Sequence, residues 1–145
     1  MQILEKYLLG NLNMQRVLFL CTGNSARSQM AEALLKHLGG IEFEVHSAGT
    51  KPKSEVNSFA LEVLKEKGIS IEGLYPKNVS RFVNDEIDIV VTVCERAKQS
   101  CPHFPGAKYI DHWSLDDPAA FQGTYNEMLD KFRETRDEIE RRIRA

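Results

Sequence analysis

Short apolar runs alternate along the chain with longer segments in which apolar residues recur every three or four positions. Residues 16–21 (RVLFLC) and 87–93 (IDIVVTV) are almost entirely apolar, which is typical of strands buried on both faces of a parallel sheet. Apolar and polar side chains alternate over residues 42–47, which predicts a half-exposed strand, and residues 107–110 predict a short fourth strand.

Three segments have the spacing of amphipathic helices: residues 27–38, which end at two glycines, residues 59–64, and residues 124–143. In the last helix, one side is predicted to carry Tyr125, Met128, Leu129, Phe132 and Ile139. Strands that alternate with helices predict an α/β fold. We expect a single-domain three-layer sandwich, with a central four-stranded parallel sheet and helices on both faces. Ligands bind such sheets where strands end and helices begin.

Composition narrows the class of protein. The 145 residues suffice for one domain with its own core, and 42% apolar with 28% charged residues exclude a disordered chain. The net charge of −2 gives no electrostatic reason to expect nucleic acid or a membrane surface as a partner. We predict a domain over residues 14–145, preceded by an N-terminal extension over residues 1–13. The extension is a docking helix, a loose tail or an artefact of the start codon.

Three cysteines, Cys21, Cys94 and Cys101, are the most informative part of the composition. A secreted disulfide framework is normally even in number and denser, so we expect a cytoplasmic protein. Three cysteines leave thiol chemistry, a metal site and buried side chains as alternatives. A zinc site would add His103 and His112, but this spacing matches no familiar zinc pattern, and we predict no metal.

The first cysteine begins a predicted anion-binding loop. Five residues separate Cys21 from Arg27, where a helix is predicted to begin. Five residues can form a ring whose backbone N–H groups, with the positive end of the helix, bind a tetrahedral oxyanion. Gly23 and Asn24 tolerate the left-handed backbone of such a ring, and the planar fork of Arg27 can bind two oxygens. The predicted loop comprises Thr22, Gly23, Asn24, Ser25, Ala26, Arg27 and Ser28.

The same surroundings predict that Cys21 is a nucleophile. A helix N-terminus lowers the pKa of a cysteine from about 8.5 to roughly 3.5–7.5, and Ser28 can donate a hydrogen bond to the sulfur. The alternative is that Cys21 simply ends a buried strand, as cysteines often do. The combination of cysteine, five-residue loop, Arg-Ser and helix favours the nucleophile.

Three segments together resemble the low-molecular-weight tyrosine phosphatase superfamily. They are VLFLCTGNSARSQMAEALL at residues 17–35, SAGT at Ser47–Thr50 and DDPA at Asp116–Ala119. The resemblance extends from Met14 to the C-terminal helix, and it is greater still to the thioredoxin-coupled arsenate reductases of that superfamily.

That resemblance implies a relay of three thiols. It implies that Cys21 attacks arsenate, that Cys94 attacks Cys21 and releases arsenite, and that Cys101 attacks Cys94. Thioredoxin then reduces the final disulfide, so we predict no bound cofactor. It also implies that an aspartate before proline protonates the leaving oxygen, which matches Asp117 rather than Asp116. A turn and helix-start signal is the alternative role of this aspartate.

Departures from the phosphatases favour an inorganic substrate. The phosphatases usually have a cysteine where this chain has Ala26, a proline where it has Gln29, and paired tyrosines where it has Ala119 and Ala120. A pocket without aryl rings suits arsenate, or phosphate or sulfate as its analogue, better than phosphotyrosine. The alternatives are a phosphatase that forms a cysteinyl-phosphate and a non-catalytic oxyanion-binding or thiol-sensing module.

The spacing of the other two cysteines adds an independent expectation. If residues 95–100 were helical, seven steps would place the Cα atoms of Cys94 and Cys101 roughly 10 Å apart. A disulfide requires Cα atoms within about 7 Å, so the segment would have to unwind before they could pair. Its sequence, ERAKQS, has little apolar surface to oppose that opening.

Overall fold

Four parallel strands form the centre of the protein. The computed structural model describes residues 14–145, and the predicted N-terminal extension over residues 1–13 lies outside them. The strands lie in the order β2-β1-β3-β4, and each neighbouring pair is parallel. Their bounds are β1 Gln15–Cys21, β2 Phe43–Gly49, β3 Ile89–Thr92 and β4 Tyr109–His112.

The apolar runs form the two inner strands. Every residue of β3 is buried, and so is every residue of β1 except Arg16. Since successive side chains of a strand point to opposite faces, both faces of the sheet are covered there. The outer strand β4 begins two residues later than predicted, because the backbone N–H of Ala107 closes a turn on Phe104.

Helices form at the three predicted segments, and a further helix lies over residues 95–100. Within residues 14–145 they are α1 Arg27–Gly39, α2 Ser58–Lys65, α3 Glu95–Ser100 and α4 Tyr125–Arg144. Short 3₁₀ turns lie at Gly40–Glu42, Val79–Phe82 and Pro118–Ala120. Asn57 caps α2, while Thr124 and Glu127 form a reciprocal capping box at the start of α4. Residues 95–100 are helical, which was the condition for the expected separation of Cys94 and Cys101.

Helix α4 begins with an exposed residue on its apolar side. Its buried apolar residues are Leu129, Phe132, Ile139 and Ile143. Tyr125 lies on the predicted side, since Phe59 contacts both Tyr125 and Phe132, but it is 58% exposed. The ring of Tyr125 lies 5.4 Å from that of Phe59, and its hydroxyl donates to the carboxylate of Glu62. The tyrosine remains at the surface because its hydroxyl finds a charged acceptor there.

The strand order creates a binding position at one edge of the sheet. The chain passes from β1 to β2 on one side and later to β3 on the other, so the order reverses between β1 and β3. Cys21 ends β1 and Cys94 immediately precedes α3, which places both thiols at this edge. The predicted α/β three-layer sandwich is confirmed. No helix among residues 14–145 is long and apolar enough to cross a membrane.

Candidate active site

The segment from Cys21 to Ser28 curls around the sulfur of Cys21. The backbone N–H of Asn24 donates to Cys21 Sγ at 3.1 Å, and Ser28 Oγ lies 2.8 Å from the same sulfur. Asn24 has a φ of 48°, the left-handed conformation that the ring was expected to need. Gly23, the other residue that tolerates this conformation, does not have a positive φ. The loop therefore depends on one left-handed residue.

The segment after β2 holds the loop from outside. Backbone N–H groups of Thr50, Lys51, Lys53 and Asn57 donate to the carbonyl oxygens of the loop. A Cβ atom at Gly49 would lie 2.4 Å from the carbonyl oxygen of Thr22, so any side chain there would push the loop away. The SAGT segment thus serves as a close-fitting support for the anion loop.

Helix α1 begins at the loop and supplies its arginine. Within residues 14–145, no side chain caps the first turn of this helix, so its amides face the loop. Arg27 Nη1 donates to the carbonyl oxygen of Leu115 at 2.9 Å, and Arg27 Nη2 lies 3.9 Å from Asp117 Oδ2. Arg27 therefore links the anion loop to the segment that carries Asp117.

The structure distinguishes the two candidate acids. Asp117 lines the pocket that contains Cys21, whereas Asp116 lies outside that lining, beside Ser114 and Lys131. Asp117 Oδ1 also accepts from the backbone N–H of Ala119 and caps a 3₁₀ turn. Asp117 therefore both caps the 3₁₀ turn and lines the pocket.

The second and third cysteines lie at opposite ends of α3. Cys94 lines the pocket, and its sulfur lies 3.3 Å from Thr22 Oγ1. The same sulfur accepts from the backbone N–H of Ala97 at 3.4 Å and caps α3. Cys101 is half-buried outside the pocket lining, and its thiol donates to the carbonyl oxygen of Pro102. The structure brings Cys21 and Cys94 together and leaves Cys101 apart.

The pocket has a volume of about 460 Å³ and a cationic lining. Arg27, Lys51, Lys53 and Arg96 contribute positive charge, against the carboxylates of Glu95 and Asp117. This balance attracts an oxyanion. Lys51, Lys53, Asn57 and Arg96 were missed by the sequence analysis. The nearest signal was the position of the two lysines directly after the SAGT segment.

The expectation of a lowered pKa for Cys21 is wrong. Burial raises the pKa of the thiol, which is only 3% exposed. Hydrogen bonds from Ser28 and from the backbone N–H groups of Asn24 and Ser28 act in the opposite direction without cancelling the effect of burial. Burial also raises the pKa of Cys101.

Residues 14–145 contain no group of three or more His, Cys, Asp or Glu side chains arranged to hold a metal ion. The zinc alternative required Cys94 and Cys101 to meet His103 and His112. Instead, His112 contacts Thr92 at 2.8 Å and Glu95 at 3.1 Å. His112 therefore connects the end of β3 with the first residue of α3.

Alkylation of Cys21 by iodoacetamide should accelerate about tenfold per pH unit from neutral into alkaline solution, because only the thiolate reacts. The midpoint should lie above that of an ordinary cysteine, since the pKa of Cys21 is raised. In Ser28→Ala the midpoint should rise by about one further unit, because a hydrogen bond to the thiolate is lost. Mass spectrometry of the Cys21 peptide measures the rate.

The matched control is Ser25→Ala. Ser25 lines the same pocket, but its hydroxyl donates to the carbonyl oxygen of Glu55 rather than to sulfur. Its midpoint should equal that of the parent. A parental midpoint below that of a free cysteine would show that the loop amides outweigh burial.

Comparisons with known proteins agree with this geometry. A model of the low molecular weight phosphotyrosine protein phosphatase family matches residues 16–145. An arsenate reductase of Halalkalibacterium halodurans is 42% identical over 134 residues, 92% of this chain and 96% of the relative. A solved structure of an arsenate reductase in the phosphate binding state has a TM-score of 0.77 at 30% identity, covering 90% of this chain and 95% of the other. A thioredoxin-dependent arsenate reductase of Corynebacterium glutamicum has a TM-score of 0.66 at 34% identity. That comparison covers 91% of this chain and 63% of the longer one.

The chain belongs to the low molecular weight phosphotyrosine protein phosphatase family. The relatives described above are arsenate reductases, which confirms the resemblance predicted from the sequence and the predicted class of enzyme.

Proposed function

We propose that the protein reduces arsenate to arsenite through a relay of Cys21, Cys94 and Cys101, with thioredoxin as the electron donor and no bound cofactor. The observation that carries the proposal is the second thiol in the pocket. Hydrolysis of a cysteinyl-phosphate needs one thiol, whereas reduction needs two electrons, which two thiols supply together when they form a disulfide. Cys94 lies beside the anion loop as the partner of Cys21. A cytoplasmic location is part of the same proposal.

The first step takes place on Cys21. Its thiolate attacks arsenic, while Arg27 and the loop amides hold the arsenate oxygens. Asp117 protonates the leaving oxygen, which departs as water. Arg27 stands between the anion loop and Asp117, so it holds the oxyanion near the acid.

The next two steps move oxidation out of the pocket. The thiolate of Cys94 attacks Cys21 Sγ, a disulfide forms, and the electron pair of the sulfur–arsenic bond leaves with arsenite. Cys101 then attacks Cys94, which frees Cys21 as a thiolate. Thioredoxin supplies two electrons to the disulfide of Cys94 and Cys101.

The third step requires helix α3 to open. Seven helical steps hold the Cα atoms of Cys94 and Cys101 roughly 10 Å apart, beyond the reach of a disulfide. Ala97 is the only buried residue of α3, so few apolar contacts oppose opening. The sulfur of Cys94 is also the N-cap of α3. Its attack on Cys21 therefore removes an acceptor from the helix that must unwind next.

Arsenate reduction should be measured by NADPH oxidation with thioredoxin and thioredoxin reductase, alongside hydrolysis of an aryl phosphate. We expect arsenate-dependent NADPH oxidation that is abolished in Cys21→Ser and Cys94→Ser. Aryl phosphate hydrolysis that survives Cys94→Ser, without arsenate turnover, would contradict the proposal in favour of a phosphatase. The absence of both activities would favour a non-catalytic oxyanion-binding or thiol-sensing module.

A further inference from the structure

One side of the oxyanion pocket is formed by the helix that must open. Glu95 and Arg96 line the pocket, and both belong to the first turn of α3. The other cations of the lining stand on different elements: Arg27 on α1, and Lys51 and Lys53 on the segment after β2 whose backbone is bonded to the anion loop. In the described part of the chain, Arg96 is therefore the pocket cation that opening of α3 would carry away.

The guanidinium of Arg96 is available for a ligand. Arg96 is exposed, and within residues 14–145 its side chain forms no hydrogen bond or ion pair, although its carbonyl oxygen accepts from Ser100. Arg27, by contrast, already gives one N–H to the carbonyl oxygen of Leu115. Since a guanidinium can bind two oxygens of one oxyanion in a plane, Arg96 suits the face of the ligand that is turned toward α3.

The negative neighbour of Arg96 is bound by another strand. Glu95 Oε1 lies 3.1 Å from His112 Nε2 on β4, and His112 Nδ1 lies 2.8 Å from Thr92 Oγ1. A carboxylate only accepts, so the imidazole N–H points at Glu95. The carboxylate of Glu95 is thus held by His112 rather than by Arg96, and the first turn of α3 presents an unpaired cation to the pocket.

The small number of contacts that hold α3 closed makes this cation important. Ala97 is the only buried residue of the helix, so the closed form has little apolar burial to stabilise it. A ligand shifts such an equilibrium by the difference between its affinities for the two forms. An oxyanion that contacts Arg27 and Arg96 together would lose one of them when α3 opens, so it favours the closed helix.

We propose that Arg96 couples the oxyanion pocket to α3, so that a bound oxyanion holds the helix closed and its departure lets the helix open. The inference rests on the proposed function, in which α3 opens before Cys101 attacks Cys94. Arsenate is an anion at neutral pH, whereas the product, arsenous acid, is uncharged. Substrate therefore keeps Cys94 beside Cys21 during the first two steps, and release of the product removes the ligand of Arg96 before Cys101 approaches.

The test measures amide hydrogen exchange of residues 97–100 in the reduced protein as sulfate is added, with chloride of equal ionic strength as the reference. Sulfate is a tetrahedral oxyanion like arsenate, and its use avoids turnover. We expect saturating sulfate to slow exchange in the parent by about fivefold, the lower end of the range for coupled sites. In Arg96→Met, which keeps a long side chain of good helix propensity, sulfate should leave the exchange of α3 unchanged.

Two matched variants distinguish this coupling from pocket charge alone. Lys51→Met removes a charge from the same pocket but from a segment outside α3. It should weaken sulfate binding and still show the full slowing of exchange once sulfate saturates. Lys98→Met removes an exposed charge of α3 that does not line the pocket, and it should behave like the parent.

Three results would overturn the proposal. They are exchange in the parent that sulfate does not change, equal slowing in Arg96→Met and the parent, and loss of the slowing in saturated Lys51→Met, which would assign the effect to pocket charge as a whole. The exchange measurement requires neither arsenate nor thioredoxin. A failed relay would appear in the NADPH assay with the effect of sulfate on α3 intact, so the two proposals fail separately.

Discussion

Cys101→Ser should release about one arsenite per protein molecule and then stop, in the presence of thioredoxin, thioredoxin reductase and NADPH. Cys101 lies outside the pocket, so attack on arsenate and release of arsenite do not need it. The product of that turnover is a disulfide between Cys21 and Cys94, which are 3% and 7% exposed. Thioredoxin cannot reach sulfurs buried to that degree, so the variant stays oxidised.

Two further variants serve as controls for Cys101→Ser. Cys94→Ser should release no arsenite, because arsenic remains bound to Cys21. Ser100→Ala, at the exposed neighbour of Cys101, should turn over like the parent, since the Ser100 hydroxyl only donates to the carbonyl oxygen of Arg96. Sustained turnover by Cys101→Ser would show that thioredoxin reduces the first disulfide directly, and the relay would then need only two thiols.

Amide hydrogen exchange provides a second measurement on the same variant. In the oxidised parent, residues 95–100 should lose their protection, because the disulfide of Cys94 and Cys101 is incompatible with seven helical steps. Oxidised Cys101→Ser cannot form that disulfide, so loss of protection in α3 should be confined to its first turn, where the sulfur cap is removed. Equal exchange in oxidised parent and variant would contradict the proposed opening.

Local patterns in the chain were sufficient to predict the sheet and the anion loop. The runs that became β1 and β3 are apolar because both faces of those strands are covered. The anion loop could be predicted because the cysteine, the loop residues and the start of the helix are consecutive in sequence, from Cys21 to Arg27. Cys94 could be placed at the same edge of the sheet as Cys21 because it follows a predicted strand parallel to β1.

Other properties depend on contacts between distant segments. The raised pKa of Cys21 results from burial by surrounding elements, whereas the sequence showed only the helix N-terminus that acts against it. In the sequence, Glu32 looks like an ordinary exposed charge of a helix. Its ion-pair partner Lys77 lies in a loop 45 positions further along the chain, so the pairing could not be predicted. Helical spacing placed Tyr125 on the apolar side of α4 but could not show that it stays exposed there, because spacing does not reveal that Glu62 offers an acceptor at the surface.

Arg27→Lys should lower kcat/KM for arsenate by about a hundred- to a thousandfold, the cost of removing an aligned donor from an oxyanion site. The substitution keeps the positive charge but loses the planar fork. Arg27 already gives one N–H to the carbonyl oxygen of Leu115 while the rest of its guanidinium faces the pocket. A lysine ammonium cannot hold that carbonyl and also bind two arsenate oxygens in a plane. Steady-state kinetics and the affinity for sulfate measure the loss.

Lys53→Met is the matched control, because it removes a whole charge from the same pocket without altering the fork. If geometry controls capture of the oxyanion, Lys53→Met should cost only a few-fold in kcat/KM, and that loss should shrink as salt is added. A smaller loss in Arg27→Lys than in Lys53→Met would mean that net charge alone holds arsenate. Arg27 would then be one cation among four, and the link between Arg27 and the segment of Asp117 would have no part in the reaction.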